Sequence, residues 1–592
     1  MIPQHNNRVS ALRSWLASQH LDGFIIPRSD EHLGEYVPAA AERLAFISGF
    51  TGSAGLAIVL ADKAAIFSDG RYTIQLKDET DPNLWDCVHI TEHPPETWLK
   101  TNAPGLSIGY DPMLISADFL ARFSDSRMVP VSGNPVDAIW TDRPAPPMAP
   151  AIPYDVTFAG QTSASKRQNL AEILRKAGQD AAILTDPASV AWLFNIRGSD
   201  VEFTPIALGF ALLNADASAT IFMPLQKLPP ETIAHLGPDI TIAERSALPT
   251  AIATMTGKTV RYDSATMPVW FKTSLEAAGA KIALGPDPVA LPRACKNSTE
   301  QDGSRAAHLH DSVAMIRFLA WLAEVAPGGG ETEISAAAKL FSYRAMGSKF
   351  KGESFPAISG AGEHGAVIHY RVSPESNRAL KPNEVYLIDS GGQYLDGTTD
   401  ITRTIWVGPG QAPGEIRERF TRVLAGHIAI AALVFPEGIA GAHIDVLARH
   451  ALWQAGLDYD HGTGHGVGSY LSVHEGPASI SRAAKPVALQ PGMILSNEPG
   501  YYLPGHYGIR LENLVLVQPA PFKESSRKFL HFETLTLVPF DTALIDPAVL
   551  SPAAINWLNA YHAGVRERLE PQLDPVLDIK TLAWLAKATA AI

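Results

Sequence analysis

Cysteine is almost missing from this sequence: Cys87 and Cys295 are the two thiols in 592 residues. Two thiols cannot staple a chain of this length, so a disulfide-built scaffold is excluded and a reducing compartment is expected. No run of about 18 apolar residues occurs, which argues against a membrane-spanning helix. The opening residues, MIPQHNNRVSALRSWLASQHLD, lack the long apolar core of a secretion signal, so cytoplasmic residence is expected. Basic residues are in deficit. The formal net charge of −13 argues against broad nucleic-acid contact. A phosphate-cradling P-loop and a C-x-x-C pair are also lacking. GLSIG at 105–109 matches the G-x-S-x-G pattern, but it follows Pro104 without a strand–turn–helix context, so no nucleophilic serine is expected there.

What is present is an ordinary globular balance, 46% apolar and 18% charged, with material for several cores. At roughly 100–200 residues per domain, the length implies three or four domains. A helical pattern over Leu12–Leu21 leads into the short apolar run DGFIIP. Leu170–Gly178 leads into QDAAILTDP in the same way, with Leu12, Leu16 and Asp22 matched by Leu170, Leu174 and Asp180 at equal spacing. LAFISGF (44–50) echoes WLFNIRG (192–198), so an α/β unit looks duplicated. Between the copies lies RPAPPMAPAIP (143–153), whose proline density keeps the chain extended and marks a linker. This sets domains at 1–143, 154–293 and 294–592.

The third domain opens with Ser298 and Gln301 in a capping-box pattern. Met315, Phe318, Leu319 and Leu322 then share one helical face, and Ile334, Ala337, Ala338 and Phe341 are expected to form the inner face of a second helix. Further helices are expected at about 415–434 and 442–455, and a closing one in INWLNAYHAGVRERL. Strand-like runs EVYLIDSG, TRTIWVG, MILSNEPGYY and LENLVLVQ lie between and after them. Helices grouped against antiparallel strands indicate an α+β domain.

Polar residues sit in unusual places on those strands. Asp389 directly follows the apolar run Val385–Ile388, and Asp400 comes shortly after; a hairpin between them brings both carboxylates to one point. Alone, such aspartates also suit caps and turns. HGTGHGVGSYLSVHEGP supplies His461, His465 and His474. His461 and His465 are spaced as on a zinc-binding helix, but the glycines around them favour an irregular path. Glu498 follows Met493–Leu495, and Glu512 opens a β-prone run. Arg510 lies two residues before Glu512, so on a strand the two share a face. Asp389, Asp400, His465, Glu498 and Glu512 form a set of four carboxylates and one imidazole. Oxygen-rich sets suit hard or borderline ions such as manganese. Four clustered carboxylates repel one another strongly, and two divalent ions relieve that repulsion.

These motifs resemble the three-domain aminopeptidase P (Xaa-Pro aminopeptidase) family of pita-bread metallopeptidases. FISGFTGSAG, SDGRYTIQ, WLFNIRGSD, AVIHYR, LIDSGGQYLDGTTDITRT, SNEPGYY, GIRLEN and FETLTLVPFDTALID carry the likeness over nearly the whole chain. It implies two creatinase-like N-terminal α/β domains followed by a pita-bread α+β catalytic domain. It also implies removal of the N-terminal residue from peptides with proline second. Two divalent ions are implied, manganese with zinc or cobalt as alternatives. Asp389 would hold one ion, Asp400 and Glu512 would bridge, and His465 and Glu498 would complete the second. Glu498 is the expected proton acceptor, and His474 the group stabilising the tetrahedral intermediate. His369 and His461 are expected to shape the proline pocket, with Arg510 orienting the carboxylates. Arg71 and Trp192 are candidates for substrate access or an interface, and a homodimer is implied. His506 departs from the family's ligands and is expected on a surface loop. The competing expectations are a prolidase, acting on dipeptides, and a catalytically inactive binding module of the same fold.

Overall fold

The computed structural model describes residues 2–522 and 525–592, with side chains from residue 7 onward. The chain forms two compact units, one up to Val156 plus Gln161–Ala290, the other Thr157–Gly160 plus Leu291–Ile592.

The first unit contains two six-stranded sheets. In the first, the order is Asp86–His89, Ala64–Ser68, Leu56–Leu60, Gly23–Pro27, Ser107–Tyr110, Arg127–Pro130. In the second it is Ile240–Ala243, Ala219–Phe222, Phe210–Asn214, Ala181–Leu184, Thr259–Tyr262, Lys281–Leu284. The sequence-first strand of each sheet pairs antiparallel on one side and parallel on the other, and the outer pairs agree as well. The duplication read from the leucine spacing is therefore a duplication of topology. Helices Ile2–Ser18 and Ser163–Lys176 precede the equivalent central strands. Leu12, Leu16, Leu170 and Leu174 are all buried, each contributing roughly 1.5–3 kcal/mol. After the first helix His20 takes φ 56°; after the second Gly178 takes φ 66°, the left-handed exit that turns a helix into the next element. Ser107 opens a strand, with its backbone N–H donating to Asp22, so the G-x-S-x-G match is no nucleophile elbow. Residues 143–151 run without regular structure, as proline dictates.

The second unit is α+β. A three-stranded antiparallel sheet is formed by Ile358–Ala361, Glu384–Ser390 and Ile401–Val407. A six-stranded sheet follows the order Val434–Pro436, Phe529–Thr534, Asn513–Pro519, Ile494–Asn497, Gly464–Gly466, Glu475–Ile480. Helices Ser298–Val325, Glu333–Arg344, Gly414–Ala431, Gly441–Trp453 and Pro552–Leu569 accompany them, and a further one, Ile579–Ala588, follows the expected closing helix.

Two expectations need correction. The capping box of the long helix uses Asn297 and Glu300, one residue earlier than Ser298 and Gln301. The Asn297 side chain accepts from Glu300 N at 3.1 Å, and Glu300 returns to Asn297 N at 3.0 Å; Asn caps as well as Ser. The inner face of Glu333–Arg344 is Glu333, Ala336, Leu340 and Arg344, whereas Ile334 and Phe341 are exposed. Charge reverses the apolar pattern because both charges find buried partners. Glu333 accepts from Ala361 N, and Arg344 forks onto Asp311 at 2.8 and 3.2 Å. Among the described residues no helix is long and apolar enough to cross a membrane.

Candidate metal centre

Strands Glu384–Ser390 and Ile401–Val407 pair antiparallel with Asp389 opposite Thr402. Asp400 therefore sits one residue before the ladder, beside Asp389, and the chain between them leaves as the short strands Gly392–Tyr394 and Gly397–Thr398. The departure is tight: a Cβ at Gly391 would lie 2.0 Å from the Thr399 carbonyl oxygen, so only glycine fits. Glu512 joins the same strand from the far end of the chain. Its N–H donates to Thr402 O at 3.2 Å, and Arg403 donates to its carbonyl at 2.6 Å.

His465 lies on Gly464–Gly466, and a Cβ at Gly464 would meet the Ser496 carbonyl oxygen at 2.0 Å. That close approach lays His465 beside Ser496 and Glu498; the backbone follows no helix here, as the glycines imply. Nδ1 of His465 lies 3.0 Å from the Gly466 carbonyl. It must carry the proton there, leaving the lone pair on Nε2. Nε2 stands 3.6 Å from Asp400 Oδ2 and 3.5 Å from Glu498 Oε1. Ligand atoms of Asp400, His465 and Glu512 all lie within 4.8 Å of one another.

Three of the four carboxylates have one oxygen anchored. Arg510 Nη2 donates to Asp389 Oδ2 at 2.6 Å, Thr402 Oγ1 to Glu512 Oε2 at 2.9 Å, and Ser496 Oγ to Glu498 Oε1 at 3.1 Å. The other oxygens, Asp389 Oδ1 and Glu512 Oε1, together with Asp400 Oδ1, are buried and accept no hydrogen bond. Burial, with Glu512, Asp389 and Glu498 around it, pushes the Asp400 carboxyl well above its ordinary range. Burial and then Glu498 and Asp389 do the same to Glu512. Glu498 is pushed up to about 7 by burial, with Arg510 and His474 opposing and Asp389 adding to the rise. One pair of ionised carboxylates about 4 Å apart costs ~4 kcal/mol at an effective dielectric of about 20. Several such pairs rival the whole stability of a folded domain, roughly 5–15 kcal/mol. One guanidinium does not balance four acids. Unbonded buried oxygens converging on an imidazole lone pair fit divalent cations.

The side chains of His465 and Glu498 are 21% and 18% exposed, against 5% for Asp400, so the centre opens on the His465–Glu498 side. His474 is at that mouth, its ring centroid 4.3 Å from that of His465. His461 bonds through Nε2 to Tyr502 OH at 2.8 Å, and Tyr502 OH accepts from Arg510 Nη1 at 2.8 Å. His461 is thus joined to the centre through two side chains. His369 lies half-buried beyond the turn Gly362–Ala366, which packs against the Arg510 strand Tyr507–Arg510. His506 is exposed in the hairpin turn between Gly500–Leu503 and Tyr507–Arg510. In the first unit, Arg71 forks onto Asp69 at 2.9 and 2.8 Å, and Trp192 is buried under Lys166 Nζ at 4.1 Å from its ring. Both side chains are accounted for by these local contacts.

Thr402, Ser496 and Tyr502 were not singled out from the sequence. Two of them carried a usable signal. Thr402 stands two residues after Asp400 and Ser496 two before Glu498, the spacing that puts strand residues on one face. Tyr502 carried none, because its role depends on a long-range bond.

Known families cover the chain in four stretches. "Creatinase/Prolidase N-terminal domain" matches residues 8–139 and again 142–300, "Metallopeptidase family M24" matches 302–519, and the C-terminal region of that peptidase matches 528–592. All five candidate ligands fall in the M24 stretch. Fold and donor set together define a metallopeptidase with creatinase-type N-terminal domains and a pita-bread catalytic domain. The chain is 37% identical to "Aminopeptidase P1" of Lotus japonicus over 99% of both chains. It is 37% identical to "Xaa-Pro aminopeptidase 2" of Sus scrofa, covering 98% of this chain and 88% of that one. A solved X-prolyl aminopeptidase from Caenorhabditis elegans, described as a cytosolic enzyme with a di-nuclear active site, superposes with a TM-score of 0.94 at 34% identity, over 99% of this chain and 100% of that one. The chain belongs to the Xaa-Pro aminopeptidase (aminopeptidase P) family.

Proposed function

We infer that the protein hydrolyses the bond between an N-terminal residue and a following proline, releasing that residue from the peptide. The observation that carries this reading is the convergence of Asp400, His465 and Glu512, with buried carboxylate oxygens that accept no hydrogen bond. Asp389, Asp400, His465, Glu498 and Glu512 would hold two divalent ions, as in the relative with a di-nuclear site. The family resemblance favours manganese over zinc or cobalt. Bound there, such ions supply Lewis acidity toward a peptide carbonyl and lower the pKa of a coordinated water.

The chain's own groups divide the remaining work. Glu498, open to the mouth, takes the proton that the attacking water gives up and passes it to the proline nitrogen. His474, beside His465, donates to the carbonyl oxygen as negative charge builds there. Arg510 holds Asp389, and through Tyr502 it fixes His461, which with His369 shapes the proline pocket. Proline has no N–H and a locked φ, so a peptide carrying it second is poorly held as an extended strand. A pocket for the ring uses that feature for selection.

The reading includes the domains 1–143, 154–293 and 294–592, residence in the cytoplasm and a homodimer. Two half-buried free thiols suit a reducing compartment, and the C. elegans relative is a cytosolic enzyme. Assay of the tripeptide Arg-Pro-Pro beside the dipeptide Gly-Pro tests the substrate class. Release of arginine with little cleavage of Gly-Pro is expected. Preference for Gly-Pro makes the protein a prolidase, and turnover of neither makes it a binding module.

A further inference from the structure

His474 needs a fixed position to act on one oxygen. It ends the loop that leaves His465 and stands just before the strand Glu475–Ile480. Glu475 is a carboxylate only 4% exposed. Its Oε1 forms a direct ion pair with Lys296 Nζ, and its Oε2 lies 3.2 Å from Arg293 Nε. Both cations are buried, Lys296 at 4% and Arg293 at 6% exposed.

They come from the segment that opens the second unit, 179 residues from Glu475 in the Lys296 case. Lys296 is itself fixed: its N–H donates to Gly492 O at 3.0 Å, and its carbonyl accepts from Gln301 Nε2 at 2.7 Å. The loop before His474 is tied elsewhere. Gln393 Nε2 donates to Leu471 O at 2.8 Å, and Leu471 N donates to Thr398 Oγ1 at 3.3 Å. Gln393 and Thr398 belong to the excursion between Asp389 and Asp400. Immediately before the Leu471 anchor, Tyr470 holds φ 49°, a left-handed conformation that a bulky residue keeps only when its surroundings impose it.

A buried ion triad is weak evidence for stability, because well-packed apolar side chains often do as well. It does set geometry, since Lys296 and Arg293 approach the two oxygens of one carboxylate. We propose that Glu475, gripped by Lys296 and Arg293, is a positioning residue that holds His474 in its place at the mouth of the metal centre. This rests on the reading that His474 acts on the substrate.

The test is a double-mutant cycle on the manganese-loaded enzyme with Arg-Pro-Pro, using Glu475→Gln, His474→Ala and both together. Misplacing a catalytic group by about 1 Å costs on the order of 10²-fold. Glu475→Gln is expected to lower kcat by about 10–100-fold, with KM within about twofold and metal content and melting temperature near those of the parent. In the His474→Ala background the same change is expected to cost nothing further, since coupled residues are non-additive. Glu475→Asp, which keeps the charge and withdraws it by one methylene, carries the same cycle if Glu475→Gln does not fold. Additive losses, or a parental kcat for Glu475→Gln beside a slow His474→Ala, overturn the clamp alone. A parental kcat for His474→Ala overturns the role of His474 and the clamp with it.

Discussion

Glu31 in the first unit and Glu498 in the second are acids withdrawn from water, yet they titrate in opposite directions. Burial pushes Glu31 up, but Arg245, with Nη1 at 2.6 Å, and His32 more than offset it and leave the carboxyl at about 2. Glu498 meets burial plus a neighbouring Asp389, and its carboxyl rises to about 7. Several buried acids elsewhere follow Glu31 in having a bonded cation: Asp200 has Lys227, Asp311 has Arg344, and Asp445 has Arg449. Asp400 and Glu512 have no such pair and rise well above their ordinary range. Burial alone therefore does not mark a functional acid. What marks this site is several buried acids together without a bonded counter-charge, which folding tolerates only where something else supplies that charge.

Substitutions at both kinds of acid test that contrast. The largest effect is expected from Asp400→Ala, which should abolish turnover and most bound metal, read by peptide assay and elemental analysis. Near-parental values for both would refute the site. Next comes His474→Ala, expected to lower kcat by about 10²-fold or more, as loss of an oxyanion donor does; steady-state kinetics decide it.

The contrast also has a pH signature. Glu498 has its folded pKa raised from 4.5 to about 7, so the folded metal-free protein holds more protons than the unfolded chain in that window. Stability then falls as pH rises through it. With manganese the trend reverses, because the ligands must be deprotonated to bind. Melting temperatures of the chelated protein should decline from about pH 5 to pH 8, and those of the loaded protein should not. A chelated protein that gains stability over that range contradicts the unpaired-acid account. Glu31 behaves oppositely: its contribution is present above pH 4.5 and lost as pH falls toward 2. The smallest effect follows from Arg245→Met. With Arg245 44% exposed at its side chain, the loss should stay within about 1 kcal/mol by urea unfolding, with activity unchanged.

Much of this was legible in the sequence because the relevant signals are local. Leucine spacing gave the repeat, prolines the irregular stretch 143–151, and acids at the ends of apolar strands the candidate ligands. The inner face of Glu333–Arg344 was misread because periodicity counts apolar side chains. Here Glu333 and Arg344 point inward to Ala361 N and Asp311, partners no local pattern announces. Tyr502, through its bond to His461, and the Glu475–Lys296 pair escaped for the same reason: their bonds join distant segments.

The most direct test is anomalous scattering from crystals soaked in manganese. Two peaks among Asp389, Asp400, His465, Glu498 and Glu512 are the outcome this account requires. An active enzyme with no peak there, or with its manganese bound elsewhere, would contradict it.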